Sequence, residues 1–460
     1  MIQYDVAFIG SGHATWHAAV ALRQAGKSVV LIEKDLVAGT CTNYGCDAKI
    51  LLDGPSELIA QLKQYRGVGV DQTPAFNWED FMAYKHQVID ALPTKMTALF
   101  DQLGIDIIHG TGILMGNHMI QVGKQKILAD NIVLGTGQHA TKPEIPGKEF
   151  LHDSREFLNL EHLPADMTII GAGVIALEFA ALVLQLGTHV TILAHGSRAA
   201  KGFAPRYVTK LLVQLQAAGA DIRFNEPVTS VVSTDAGYDV TTESGLVVST
   251  DYVLAATGRQ PNINLLGLEN AGIHSSKRGI VVDDHLRANG DNIYASGDVL
   301  DKSVAKLTPT ATFESNYIAG QILGETAPIS YPAIPSVLFS LPRIARVGLS
   351  AAEAAGNTDY HIVHLPYGKL FNFEYKNEND AEMTVVLDAT NHLVGADIYG
   401  MDAPDLVNVL VLVIDQRLTA AELSKMIFAF PTPVQGIIDA LLPALTPATP
   451  DSAVKMRLDA

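Results

Sequence analysis

Apolar residues come in short unbroken blocks separated by glycine turns, and the order of the blocks predicts the fold. Residues 4–9 (Tyr-Asp-Val-Ala-Phe-Ile) read as a buried strand, Gly10-Ser11-Gly12 as a tight turn, and the Ala-rich stretch up to Gly26 as a helix. A second strand, 28–32, ends in Glu33. This is a βαβ unit with a phosphate turn between strand and helix. The pattern returns about 160 residues later: strand 167–170, turn Gly171-Ala172-Gly173, helix 174–186 stopped by Gly187, strand 189–193. One glycine fingerprint is weak; two in the same strand–turn–helix context are strong.

Two further apolar strands, 132–137 and 253–258, both end in Thr-Gly and read as matching returns to the two sheets. Residues 292–298 form a strand pattern ending in Gly297-Asp298, where an Asp is placed to hydrogen-bond a ligand hydroxyl. Beyond residue 330 the composition changes. Short strand patterns at 336–339, 383–387 and 392–398 precede helices at 404–416 and 420–426. The Pro-rich stretch 441–450 is expected to be loosely ordered.

A length of 460 residues predicts about three domains. Hydrophobic residues at 48% and charged residues at 18% supply ordinary large cores. The net charge of −17 argues against nucleic acid and anionic membrane as partners. The best apolar run, 406–414, is flanked by Asp405 and Asp415 and is too short to span a bilayer. A strand pattern follows Met1 within three residues, so no signal peptide is expected and the predicted compartment is the cytoplasm. In that reducing setting a disulfide is catalytic rather than structural.

Candidate chemistry centres on Cys41 and Cys46, the two cysteines of the chain. Their spacing allows a disulfide across one turn at the start of a helix, where the helix terminus favours thiolate. The bland alternative is a pair of small buried hydrophobes. At the first turn, Gly10 and Gly12 let a pyrophosphate approach backbone N–H groups, and Glu33 stands where an acid holds an adenosine ribose. Thr15 replaces the third Gly or Ala of the fingerprint, at some cost in helix–strand closeness. No acid follows the second fingerprint's second strand; His195, Ser197, Arg198 and Lys201 come instead. A basic, hydroxyl-bearing loop there favours a 2′-phosphate, hence NADPH over NADH, unless it is merely a solvated loop. His13 and His17, at i and i+4 of a helix, could bind metal; a face beside a cofactor is the better reading. His361 and His364 would point to opposite faces of a strand, so no metal site is predicted.

With these motifs the chain resembles the flavoprotein disulfide reductase family, which includes glutathione reductase, dihydrolipoamide dehydrogenase and mercuric reductase. The family pattern Gly-Gly-Thr-Cys-x4-Cys stands as Ala38-Gly39-Thr40-Cys41 to Cys46, and the flavin motif as Gly297-Asp298 followed by Leu307-Thr308-Pro309. Residues 334–340 and 347–350 resemble the opening of the interface domain. The resemblance implies FAD held by Gly10, Gly12, His13, Glu33, Thr40, Gly112, Thr136, Gly137, Asp298 and Thr308. It implies a nicotinamide nucleotide at Gly171, Ala172, Gly173, Ile175, His195, Arg198, Lys201, Gly258 and Val337. Cys46 would be the thiol beside the flavin and Cys41 the outer thiol that meets substrate. Glu178 matches the family acid that pairs with a lysine near the flavin. Lys49 is the candidate partner, one position earlier after Cys46 than in the family.

The departures bear on the acceptor. The family's C-terminal His-Pro-Thr, with a Glu three residues on, acts across a dimer as acid and base for the outer thiol. Here Phe430 stands for the His and Gln435 for the Glu. Such proton help is typically worth about 10²–10⁴-fold, so ordinary glutathione or lipoamide turnover is expected to be poor unless another group substitutes. Val174 stands where a Tyr often gates the flavin, and the C-terminus lacks the vicinal cysteines of mercuric reductase. The predicted fold is α/β. An FAD-binding domain (1–145 and 263–332) carries an inserted NAD(P)H-binding domain (146–262), and a C-terminal α+β interface domain (333–460) forms a homodimer. The predicted activity is NADPH-dependent flavoprotein oxidoreduction through the Cys41–Cys46 disulfide to a small-molecule acceptor. The alternatives are direct flavin reduction of a quinone, metal ion, oxygen or organic electrophile, and a flavin-bearing redox sensor or complex subunit.

Overall fold

In the computed structural model, residues 2–290 and 292–446 are described. They divide into two compact units, the first comprising 1–59, 74–199 and 216–331, the second 60–73, 200–215 and the chain from 332 on.

The first unit is built on two sheets, the first mixed and the second parallel. Strand β1 (Ile2–Ile9) leads through the first glycine turn to helix α1 (Trp16–Gln24) and β2 (Val29–Glu33). Helix α2 (Gly39–Tyr44) and helix α3 (Cys46–Gln64) follow. Strands β3 (Asp106–His109), β4 (Gly112–Gly116), β5 (Met119–Val122) and β6 (Gln125–Leu134) complete the run. The strand order is β3-β2-β1-β6-β5-β4, with β1, β2, β3 and β6 parallel. Val6, Ala7 and Phe8 are fully buried because both faces of β1 are covered, which is why this strand reads as an apolar block. Residues 132–134 are the end of the ten-residue β6 rather than a separate short strand.

The chain then builds the second, parallel sheet. Its strands are β7 (Asp166–Ile170), β8 (His189–Ala194), β9 (Asp221–Phe224) and β10 (Tyr252–Ala255), in the order β9-β8-β7-β10. Helix α4 (Val174–Gln185) joins β7 to β8 and is buried from Ala176 to Leu184, apolar all round. Residues 132–134 and 253–255 do return to their own sheets: β6 lies beside β1 and β10 beside β7. The first sheet is completed only later, by β11 (Ile293–Ala295), parallel to β6. Helix α5 (Thr308–Ile322) follows, and its Ser315 hydroxyl accepts from the Ala18 amide of α1 at 3.0 Å.

The second unit carries a five-stranded antiparallel sheet. Its strands are β12 (Ser336–Leu338), β13 (Ile344–Gly348), β14 (Tyr360–Leu365), β15 (Glu382–Asp388) and β16 (Leu393–Tyr399), in the order β12-β13-β16-β15-β14. Helix α6 (Ala403–Asp415) buries Leu406, Val407, Leu410 and Val413, one stripe at helical spacing. Helix α7 (Pro433–Leu445) does the same with Ile437, Ile438, Leu441 and Leu445. This corrects the expectation of a loose end at 441–450. Pro443 is tolerated near the last turn, and burial of Leu441 and Leu445 in the core outweighs it; residues 447–450 lie outside the described residues. The helix expected over 420–426 ends at Leu423.

Candidate active site

The first glycine turn is fixed by backbone contacts. Gly10 has φ +108°, and a Cβ there would lie 2.5 Å from the Gly135 carbonyl oxygen. The turn therefore sits directly against the end of β6. Thr15, the departure from the fingerprint, is fully buried. Its hydroxyl donates to the carbonyls of Gly10 (3.0 Å) and Gly12 (2.9 Å), while its methyl fills the space beside Gly135. A glycine on the facing strand has made room for the larger residue, so the expected loss of closeness is absorbed. Glu33, at the end of β2, accepts from the Ser11 amide (3.0 Å), the Ser11 hydroxyl (2.7 Å) and the Asp35 amide (2.9 Å). It thus braces the turn as well as facing the site.

These groups open on a cavity of about 770 Å³ at the carboxyl ends of the first sheet's strands. Gly10, Gly12, His13, Glu33, Thr40, Gly112, Thr136, Gly137, Asp298 and Thr308 all line it, together with Cys41 and Cys46. A cavity of this size and position, with backbone N–H groups at a glycine turn and an acid on the next strand, fits a dinucleotide.

The two sulfurs sit on its wall. Cys41 lies in α2 and Cys46 opens α3, with Gly45 between; a Cβ on Gly45 would press on the Cys41 Cα at 3.1 Å. The thiols are free in this structure. The Thr308 hydroxyl donates to Cys41 Sγ at 3.1 Å and lies 3.7 Å from Cys46 Sγ. The hydrogen bond from Cys41, then the Thr308 hydroxyl and the Lys49 ammonium, bring the Cys46 thiol down to about 6 against the opposing effect of burial. The same contact with Cys46, with burial, pushes the Cys41 thiol far up. The proton of the pair therefore rests on Cys41 and the negative charge on Cys46. Lys49, in the first turn of α3, meets the buried Glu178 of α4 at 3.0 Å.

At the second fingerprint, Gly171 has φ +112° and packs on the Ala256 carbonyl as Gly10 packs on that of Gly135. Gly171, Ala172 and Gly173 thus stand at the end of β7, with Ile175 in the first turn of α4. Gly258 lies just beyond the neighbouring β10. His195 and Arg198 are exposed after β8. Lys201 and Val337 belong to the second unit, Lys201 exposed and Val337 packed on that unit's core.

In the second unit, Phe430 is 68% exposed. Gln435 of α7 accepts from Asn372, on the short helix Phe371–Glu374, and donates to Asp439 of its own helix.

Three features escaped the sequence reading. Glu314 of α5, fully buried, accepts from the Gly297 amide (2.6 Å), Lys302 and Tyr331 (2.7 Å), and so holds the Gly297-Asp298 turn. Thr308 bridges the two thiols. His17 Nε2 lies 3.1 Å from His13 Nδ1 and 3.2 Å from the Thr312 hydroxyl of α5. The i, i+4 spacing of His13 and His17 is visible in the sequence, but the Thr308 and Thr312 contacts join segments more than 260 residues apart, which no periodicity signals.

The sequence profile described as "Pyridine nucleotide-disulphide oxidoreductase" matches residues 4–315, and that of the corresponding dimerisation domain matches 334–440. The chain is 29% identical to the glutathione reductase of Nostoc sp., over 95% of this chain and 98% of that protein. It is 29% identical to the dihydrolipoyl dehydrogenase of Bacillus subtilis, over 94% of each. Among solved structures, the Cu(II) complex of the HOCl-induced flavoprotein disulfide reductase RclA from Escherichia coli superposes with a TM-score of 0.87 at 27% identity, covering 96% of this chain and 99% of that one.

Proposed function

The chain belongs to the pyridine nucleotide-disulphide oxidoreductase family, and from that premise we propose that it passes electrons from NADPH through FAD and the Cys41–Cys46 dithiol to a small disulfide. As a member of the family it is an FAD- and NAD(P)H-dependent oxidoreductase. The carrying observation is that both thiols lie on the wall of the cavity whose other walls are the dinucleotide-type turn and Asp298, joined by one hydroxyl, that of Thr308.

Gly10, Gly12 and His13 offer the turn to the pyrophosphate; Glu33, Thr40, Gly112, Thr136, Gly137, Asp298 and Thr308 enclose the rest. Bound FAD supplies two-electron transfer between the nicotinamide and the sulfurs. Cys46, kept as thiolate beside Lys49, is the sulfur toward the cofactor, and Cys41, holding the proton, is the sulfur that meets the acceptor. Lys49 and Glu178 hold each other in place between α3 and α4. The second nucleotide is assigned to Gly171, Ala172, Gly173, Ile175 and Gly258, with His195 and Arg198 favouring a 2′-phosphate. The assigned domains are 1–145 with 263–332, 146–262, and 333–460. The last serves a homodimer, a reading supported by the dimerisation-domain match and by the exposed Ile427, Phe371 and Phe430.

An anaerobic titration with NADPH tests the electron path. A long-wavelength band at the first equivalent, with the flavin still oxidised, supports the dithiol route; simple bleaching of the flavin refutes it. A second reading, direct reduction of a metal ion, is favoured by the Cu(II) complex of the similar RclA. It requires that Cys41→Ser keep its turnover with Cu(II), and loss of that turnover removes it.

A further inference from the structure

Reduction of an alkyl disulfide needs a proton for each departing thiolate, and neither Phe430 nor Gln435 is a group that can supply one. A different titratable pair has one member on the wall of the cavity that the sulfurs line. Thr308 touches both of them from the first turn of α5. Thr312 stands one turn further along the same helix face, about 6 Å of rise, and its hydroxyl meets His17 Nε2 at 3.2 Å. That nitrogen lies 3.1 Å from His13 Nδ1, and His13 lines the cavity that Cys41 and Cys46 also line. Trp16 stacks on His17 with ring centroids 3.5 Å apart and fixes its plane. The carboxylate that acts on His13 is Asp47, next to Cys46 on α3, and the group of α5 that meets the pair is the Thr312 hydroxyl.

We infer that the hydrogen-bonded pair His13–His17 is the proton carrier of the dithiol, doing the work of the missing C-terminal histidine. This rests on the dithiol reading above. His13 is the member that faces the cavity; His17 is a positioning residue that shares its proton. Two imidazoles joined by one N–H···N bond hold one proton more when a thiolate forms nearby, and release it readily. Burial lowers both, His17 to about 4, so at neutral pH the pair is an uncharged acceptor.

The chemistry balances. Cys41 sulfur bonds to one sulfur of the acceptor, the acceptor S–S bond breaks, and the Cys41 proton passes through the pair to the first leaving thiolate. The Cys46 thiolate then attacks Cys41 sulfur. The Cys41–Cys46 bond forms, the mixed disulfide breaks, and the second thiolate takes a proton from solvent. The dithiol loses two electrons, the acceptor becomes two thiols, and NADPH restores the dithiol.

The test is single-turnover oxidation of the NADPH-reduced holoenzyme by two probes. Bis(2-hydroxyethyl) disulfide has a basic leaving thiolate; an aromatic nitrobenzoate disulfide has an acidic one that needs no proton. His17→Gln should slow the first reaction about 10²-fold and the second at least tenfold less, and added imidazole should restore part of the first rate in His17→Ala. An unchanged first rate, or equal losses with both probes, overturns the inference. If the wild-type dithiol reacts with neither probe, the dithiol reading itself falls, and this inference with it.

Discussion

Removing Cys41 while leaving its neighbour gives a direct measure of how the pair partitions its charge. The first cause of the low Cys46 value of about 6 is the hydrogen bond from Cys41, ahead of Thr308 and Lys49. A hydrogen bond to a charged group is worth about 1.5–3 kcal/mol, or roughly one to two pKa units. Cys46 has an exposed surface, so the lower half of that range applies. Cys41→Ala should therefore raise Cys46 to about 7. Its thiolate fraction at pH 7 would fall from about nine-tenths to about one-half. Cys41→Ser keeps an O–H donor at the same place and should hold Cys46 nearer to its native value. In both variants Cys46 is the sole remaining thiol, so the pH dependence of its alkylation by iodoacetamide in the holoenzyme reports it without ambiguity. The sign is that of any thiolate reaction: the rate falls as pH drops through the pKa, so the alanine variant's curve moves to higher pH. If Cys46 still titrates at about 6 in Cys41→Ala, Cys41 is not what stabilises its charge.

Other perturbations follow from the same contacts. Lys49→Met removes the 3.0 Å ammonium partner of the buried Glu178 carboxylate and should lower the urea midpoint; adding Glu178→Gln should recover most of the loss. Thr15→Val takes the hydroxyl donor from the half-buried Gly10 carbonyl, while the Gly12 carbonyl keeps the Thr15 and Trp16 amides, for about 1 kcal/mol, and should weaken FAD retention on gel filtration; an unchanged flavin content would show that the turn does not need this brace. Restoring the family dyad by Phe430→His/Gln435→Glu would set a carboxylate against Asp439, which Gln435 now touches. Asp439→Asn should be needed before any glutathione reduction rises in steady-state assays, and a rise without it would refute the clash.

The sequence by itself determined the parts that are local. A strand, a glycine turn and a helix are adjacent in the chain, so the two βαβ units, the Cys41–Cys46 spacing and the Gly297-Asp298 strand end could be read from composition and period alone. Adjacency also explains the errors. Residues 441–445 look unstructured beside the prolines that follow, and only the core beneath Leu441 and Leu445 holds them in a helix. What the tertiary structure decided are meetings across long chain separations. Thr308 reaches Cys41 over 267 residues and Thr312 reaches His17 over 295, because β11 closes the first sheet beside β6 and delivers α5 to α1. His13 and His17 are four residues apart, His13 in the turn that precedes α1 and His17 on α1, and that spacing leaves open what they face. Only the packing of α5 against α1 puts a hydroxyl on one of them and sets the other on the wall where the sulfurs lie.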